Sequence, residues 1–207
     1  MHQQIQPDRF GSALFLAAGI CCGTSAALFF FVDVIHVREL VRIAYVLLAL
    51  FFLAGLGCPS VLSGQAPFRS SFDRWVVTLA TVGFAVGLID SVRTVYIGTP
   101  VVPWPKGISP LLKRTDPLGI IVFPAIGLWV LVSSFKLRQL GPSWRRLGNL
   151  GLACGLLLFA PPVTETLGTL GWKYILPVFG ALALLMTVVV LFWFGGVGLL
   201  LSRTRRS

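Results

Sequence analysis

The chain has 207 residues, of which 56% are hydrophobic and 12% charged, and its formal net charge is +10. Its mean hydropathy is +0.89, whereas soluble domains carry about 25% charged residues. This much apolar surface cannot be buried in a water-soluble core of this size, which excludes a soluble globular protein. The basic residues stand in short loops between apolar stretches, without a basic stripe or interleaved aromatic residues, so no nucleic-acid partner is expected.

Six segments are long and apolar enough, or nearly so, to cross a bilayer, which takes about 20 residues per helix. The first exceeds the hydrophobic part of a signal peptide and no convincing cleavage site follows it, so it is expected to remain as a span. The fifth is the weakest, because Pro161 and Pro162 stop or kink a helix. The predicted spans are residues 10–32, 40–58, 75–97, 118–135, 147–163 and 174–201.

Charged residues predict the orientation of these spans. Ten Lys and Arg residues fall on the side that holds both termini and seven on the other, so both termini are expected to be cytoplasmic. Asp8 and Asp73 are the acidic residues on that side. The sequence thus predicts an all-α integral membrane protein of a bacterial-type plasma membrane, a six-transmembrane-helix bundle that forms one domain over residues 1–207. The acidic residues expected outside are Asp33, Glu39, Asp90, Asp116 and Glu165.

The longest predicted loop, residues 98–117, contains five of the thirteen prolines together with Trp104. Proline at this density favours extended or turning backbone over helix. Trp104 is typical of the headgroup region of a membrane. Two interpretations stay open for this segment: a linker lying at the membrane surface, or a lid folded across the outer mouth of the bundle.

The odd-numbered spans each contain a GxxxG motif. Small residues four apart leave a groove into which a second helix packs closely, and packing is a main source of helix association in lipid. One such motif is common in membrane helices, but three on spans of the same direction predict the internal seams of the bundle. The pairs are Gly19 with Gly23, Gly83 with Gly87, and Gly151 with Gly155.

The third span places an aspartate in line with its glycines. Gly83, Gly87, Asp90 and Thr94 follow spacings of 4, 3 and 4, which put them on one helix face. Asp90 is therefore expected to point into the bundle, about 10 Å inside the predicted end of its span at 1.5 Å per residue. An ionisable residue inside a membrane is a candidate functional residue.

Two further acids have comparable positions. Asp33 would share the glycine face of the first span if that helix continues so far, and Glu165 would do so after the proline pair of the fifth. The hypothesis is a substrate or ion site, or a proton relay, built from Asp90, Arg93, Asp33 and Glu165, with Lys173 as a further modulator. The competing interpretation pairs Asp90 with Arg93 and places the other two among headgroups as ordinary helix-end residues.

Other chemistry has little support in the sequence. His36 lies near Asp33 and Glu39, but no HExxH motif is present and neighbouring arginines would repel a cation, so no metal and no cofactor are expected. Ser133 and Lys136 match SxxK without the other motifs of enzymes that use it, and the match is interpreted as coincidence. The four cysteines, which show no CxxC spacing, are interpreted as small buried apolar residues.

Two functions from different classes remain. The sparse chemistry and abundant small residues favour a non-catalytic accessory or assembly component, whose partners are the lipid bilayer and a possible homo- or hetero-oligomer formed through small-residue helix faces. The alternative is a small ion-coupled transporter or carrier built around Asp90. An enzyme ranks third, for want of nucleophiles and ligands.

Overall fold

The computed structural model describes residues 8–35, 38–65, 68, 70–97, 121–160, 163 and 176–203. Within these ranges the regular structure is helical, and no strand is present. The helices are α1 (Arg9–Ile35), α2 (Arg38–Ser63), α3 (Ser71–Ile97), α4 (Val122–Leu137), α5 (Pro142–Leu157) and α6 (Leu176–Arg203). The predicted loop at residues 98–117, His36 and Glu165 lie outside the described residues.

Four of the helices are long and apolar enough to cross a membrane. They contain the stretches Arg9–Phe29, Leu40–Ser63, Ser71–Tyr96 and Leu184–Arg203. Helix α4 is a shorter apolar helix, and α5 has 16 residues. The prediction of a multi-pass helical membrane protein is therefore confirmed at this level.

Several helix boundaries differ from the bounds of the predicted spans, and local chemistry explains the differences. Helix α5 begins at Pro142, not at residue 147, because Gly141 has a φ of 144° that favours glycine and proline suits the first helical position. It ends at Leu157, ahead of the proline pair that the prediction had included. Helix α2 continues to Ser63 and contains Pro59. Neighbouring groups can compensate for a missing backbone donor in a membrane helix, which makes such a proline tolerable.

The six helices form a closed ring in which each packs against its neighbours in the chain, and α6 packs against α1. We define the basal end as the starts of α1, α3 and α5 together with the ends of α2, α4 and α6. Two contacts illustrate it: Ser12 Oγ donates a hydrogen bond to the Gly198 carbonyl over 2.8 Å, and Lys136 bonds Asp73. Successive helices therefore run in alternating directions.

Aromatic rings fill the centre of this ring of helices. Seven buried rings from five helices are in mutual contact, with centroids 5.0 to 6.5 Å apart in mostly tilted or edge-on pairs. Such geometries add to the burial of the rings by complementing their quadrupoles. We call this set the aromatic centre: Phe15, Phe51, Phe52, Phe84, Trp129, Trp193 and Phe194.

Glycines let the helices approach one another around that centre. A Cβ atom on Gly151 of α5 would lie 2.0 Å from Ser134 Oγ and 2.2 Å from Trp193 Nε1, so these two atoms occupy the space of a side chain. On α1, a Cβ on Gly19 would lie 3.0 Å from the backbone nitrogen of Gly195 in α6. Any larger residue at either position would require its neighbours to shift.

Candidate functional site

The start of α3 is closed by two reciprocal side-chain caps. Ser70 Oγ accepts a hydrogen bond from the Asp73 backbone N–H over 3.1 Å. Asp73 Oδ2 in turn accepts one from Ser70 N over 2.8 Å and one from Ser70 Oγ over 2.6 Å. This is a capping box with aspartate in place of the usual glutamate, and it satisfies backbone donors that a helix start otherwise leaves open. The cap fixes the Asp73 carboxylate at the inner side of the basal end.

A lysine from the neighbouring helix neutralises that carboxylate. Lys136, in the last turn of α4, donates to Asp73 Oδ2 from 63 residues further along the chain. The Asp73 side chain is 3% exposed and that of Lys136 is 24% exposed. The ammonium also lies 5.5 Å from the centroid of the Phe68 ring, within cation–π range. The described residues thus hold a buried, charge-balanced pair where α3 and α4 meet.

Asp73 also lines a very small cavity. Asp73 Oδ1 is buried and has no hydrogen-bond partner among the described residues. The cavity has a volume of about 10 Å³, and Ser63 and Ser133 are among its other lining residues. That volume is about the size that one water molecule needs. The arrangement suits a single hydrogen-bonding molecule more than a cation, since the Lys136 ammonium already balances the carboxylate.

This geometry also bears on the SxxK match. Ser133 is buried and lines the same cavity as Asp73, so the motif does bring its two residues to one place. However, the Lys136 amine is bound to a carboxylate. At this place Lys136 forms an ion pair with Asp73, and the interpretation of the SxxK match as coincidence stays a prediction.

The residues predicted from the glycine register lie towards the opposite end of α3. Gly83, Gly87 and Thr94 are buried, whereas Asp90 and Arg93 are half-buried. Ser91, which the register did not single out, is 3% exposed. Thr94 Oγ1 donates to the backbone carbonyl of Asp90 over 2.7 Å. The buried face of α3 therefore continues from the two glycines to the hydroxyl residues Ser91 and Thr94, and Asp90 lies beside this face.

The remaining predicted residues are only partly described. Helix α1 does continue through Asp33, which was the condition for its register, but the description does not cover that side chain. Glu165 lies outside the described residues. Among the residues that are described, no group of three or more His, Cys, Asp or Glu side chains could hold a metal ion. Cys21, Cys22, Cys58 and Cys154 are free thiols.

Sequence reasoning missed the pair at the basal end. The pattern S-x-x-D ahead of an apolar run, Ser70 to Asp73, was an available signal for a helix start with a buried acidic cap. Nothing local indicated that Lys136 would reach it. Comparison with family models, with curated proteins and with solved structures finds no match to this chain.

Proposed function

We propose that the protein is a non-catalytic accessory or assembly component of a membrane that acts by lateral association with other membrane helices. The aromatic centre is the observation that carries this proposal. Its seven rings occupy the middle of the helix ring, so a water-filled path along that axis would have to displace them. Lateral association requires only the outer surface of the bundle, which the aromatic centre does not occupy.

The outer face of α1 supports the same conclusion. Four small residues are exposed there at helical spacing, Ala13, Ala17, Thr24 and Ala27, and the larger Ile20, which is 61% exposed, lies among them. The outer faces of α2 and α3 carry more of the large exposed residues, such as Leu53 and Trp75. Because small residues let two backbones approach closely in lipid, α1 is the face on which we place a partner helix, either of a second copy or of another membrane protein.

The proposal includes a topology in which all six helices cross a bacterial-type plasma membrane and both termini are cytoplasmic. Its support is the alternating direction of the helices and the concentration of cations at the basal end. Helices α4 and α5, at 16 residues each, would need a locally thinner bilayer or flanking residues to complete their spans. The basal cations are Arg9, Arg74, Lys136, Arg138, Arg145, Arg146 and Arg203.

We also propose that the three GxxxG pairs are the seams of the bundle. Gly151→Ala should destabilise the protein by about 1–3 kcal/mol, as overpacking does. Gly195→Ala is the matched control, because a Cβ there meets no atom within 4 Å. Unfolding in detergent measures both, and equal effects would contradict a seam at Gly151.

Photo-crosslinking in the native membrane tests the association. A photoactivatable residue replaces Ala17 on α1 or, as the matched control, Leu53 on α2, which is 53% exposed. We expect a discrete protein adduct from position 17, whose yield falls when Thr24→Leu enlarges the same face, and lipid adducts from position 53. Lipid adducts alone from both positions would overturn the proposal.

A second candidate function is an ion-coupled transporter or carrier built around Asp90, with Arg93, Asp33 and Glu165 as its further residues. It is favoured by the half-buried position of Asp90 within the stretch Ser71–Tyr96, beside the buried hydroxyls of Ser91 and Thr94. Proton flux into vesicles that contain the full chain and a trapped pH dye tests it. Flux that Asp90→Asn abolishes would support the carrier, and flux equal to that of protein-free vesicles would eliminate it.

A further inference from the structure

A groove with a volume of about 330 Å³ lies between α5 and α6 at the basal end. Each helix contributes four lining residues at spacings of 3, 1 and 3, which is one face of a helix. The two helices come close because Gly196 has no side chain: a Cβ there would lie 2.6 Å from Leu147 Cδ1. The groove is therefore a built feature of the α5–α6 contact.

Apolar atoms make up nearly all of the groove's surface, and its charged lining residues lie at one end. Ser143 and Arg146 lie in the first two turns of α5, and Arg203 lies in the last turn of α6, so all three meet at the basal end. Leu150 and Gly196 line it about one to two turns deeper. The polarity follows the normal of a membrane, from a charged surface to an apolar interior.

The charge of the mouth is not balanced by acids on the helices that form it. Neither α5 nor α6 contains an Asp or Glu, and both Arg146 and Arg203 are exposed. Asp8 is the acid that directly precedes the neighbouring α1. Its Oδ1 accepts a hydrogen bond from the Gly11 backbone N–H over 2.9 Å, which is a contact with the start of α1 and not with the groove. The first turn of α5 also lacks a side-chain cap, so its N–H groups add positive potential at the same end.

We propose that this groove binds one anionic phospholipid, with the phosphate between Arg146 and Arg203 and an acyl chain along the leucines. Guanidinium groups bind phosphate oxygens through paired hydrogen bonds, and Ser143 offers a further donor. The apolar part of the groove can hold an acyl chain, which a phospholipid has and a free phosphate lacks. This site is compatible with either function proposed above and depends on neither.

Native mass spectrometry of the full chain in detergent tests the phosphate end. The probes are phosphatidylglycerol, phosphatidylcholine with the same acyl chains, and inorganic phosphate. We expect one retained phosphatidylglycerol, bound about fivefold more weakly in Arg146→Gln and in Arg203→Gln, from the contribution of one arginine at a lipid surface. Arg145→Gln is the matched control, because it removes the same charge from an exposed neighbour that does not line the groove.

Three results would overturn this assignment. If Arg145→Gln weakens phosphatidylglycerol binding as much as Arg146→Gln, the attraction belongs to the basic surface as a whole. If phosphatidylcholine is retained equally well, or inorganic phosphate competes as strongly as the lipid, the site does not recognise an anionic phospholipid.

A second variant pair tests the acyl chain. Leu199 lines the groove and is 47% exposed, whereas Leu184 is 48% exposed on the same helix and does not line it. Leu199→Trp should weaken phosphatidylglycerol binding severalfold with both arginines in place, and Leu184→Trp should not. Unfolding temperatures without lipid confirm that both variants fold. Unchanged binding in a folded Leu199→Trp variant would contradict a chain in the groove.

Discussion

Helix α3 carries an aspartate near each end, and the fold places the two differently. Asp73 is 3% exposed, caps its own helix through Ser70 and pairs with Lys136 of α4. Asp90 is half-buried beside two buried hydroxyl residues. The sequence register favoured Asp90 as the inward acid, whereas the more deeply buried of the two is Asp73. A carboxylate becomes deeply buried where a cap and a cation on a neighbouring helix balance its charge, since desolvating it alone is costly.

The largest effect is expected from Asp73→Asn. The substitution keeps the shape of the side chain but leaves the Lys136 ammonium, 24% exposed, without its carboxylate. Removing one partner of a buried ion pair costs about 3 kcal/mol, at the low end of the usual range because lysine can extend toward water. Unfolding of the detergent-solubilised protein by SDS titration measures the loss. A loss below about 1 kcal/mol would show that the pair behaves as a surface ion pair.

The coupling between the two side chains is the next effect. Lys136→Met keeps the hydrocarbon stem near Phe68 and removes the charge. The double variant Asp73→Asn with Lys136→Met should recover more than about 1 kcal/mol relative to Asp73→Asn alone, because no uncompensated charge remains. The same titration on the wild type, both single variants and the double variant completes the cycle. Strict additivity would contradict a direct interaction.

Much of the fold was predictable, because the length of an apolar stretch can be read from that segment of the sequence alone. Helices α1, α2, α3 and α6 lie where the hydrophobic stretches predict them. The start of α5 was missed by five residues, since the polar run Pro142 to Arg146 looks like a loop until Gly141 and Pro142 are recognised as a helix start.

The packing of the bundle was less accessible from the sequence. The aromatic centre draws one or two rings from each of five distant helices, such as Phe15 from α1 and Trp193 from α6, and no local spacing relates these two. The residues around Asp73 at the basal end include one contact that the sequence can reveal and one that it cannot. Ser70 and Asp73 form a local motif that sequence can reveal, whereas the contact with Lys136 exists only once α3 and α4 pack side by side.

A smaller effect is expected at the cap itself. Ser70→Ala removes the acceptor for Asp73 N and one donor to Asp73 Oδ2, but leaves the ion pair with Lys136 in place. Loss of such a cap costs about 1 kcal/mol. Ser71→Ala is the matched control, because its hydroxyl is exposed and contacts Arg74 over 3.4 Å. SDS titration should separate the two, and equal losses would show that the hydroxyl of Ser70 is not the cap.

The smallest effect on stability is expected from Asp90→Asn, and it tests the comparison directly. The side chain is half-buried, and the asparagine amide retains an acceptor oxygen. An ion pair with Arg93 three residues on, which is one of the two interpretations left open by the sequence, would contribute about 0.5 kcal/mol or less. The free energy of unfolding should therefore fall by less than about 1 kcal/mol, well below the loss for Asp73→Asn. Equal losses would show that Asp90 is held as tightly as Asp73, and the difference between the two ends of α3 would then not be one of charge compensation.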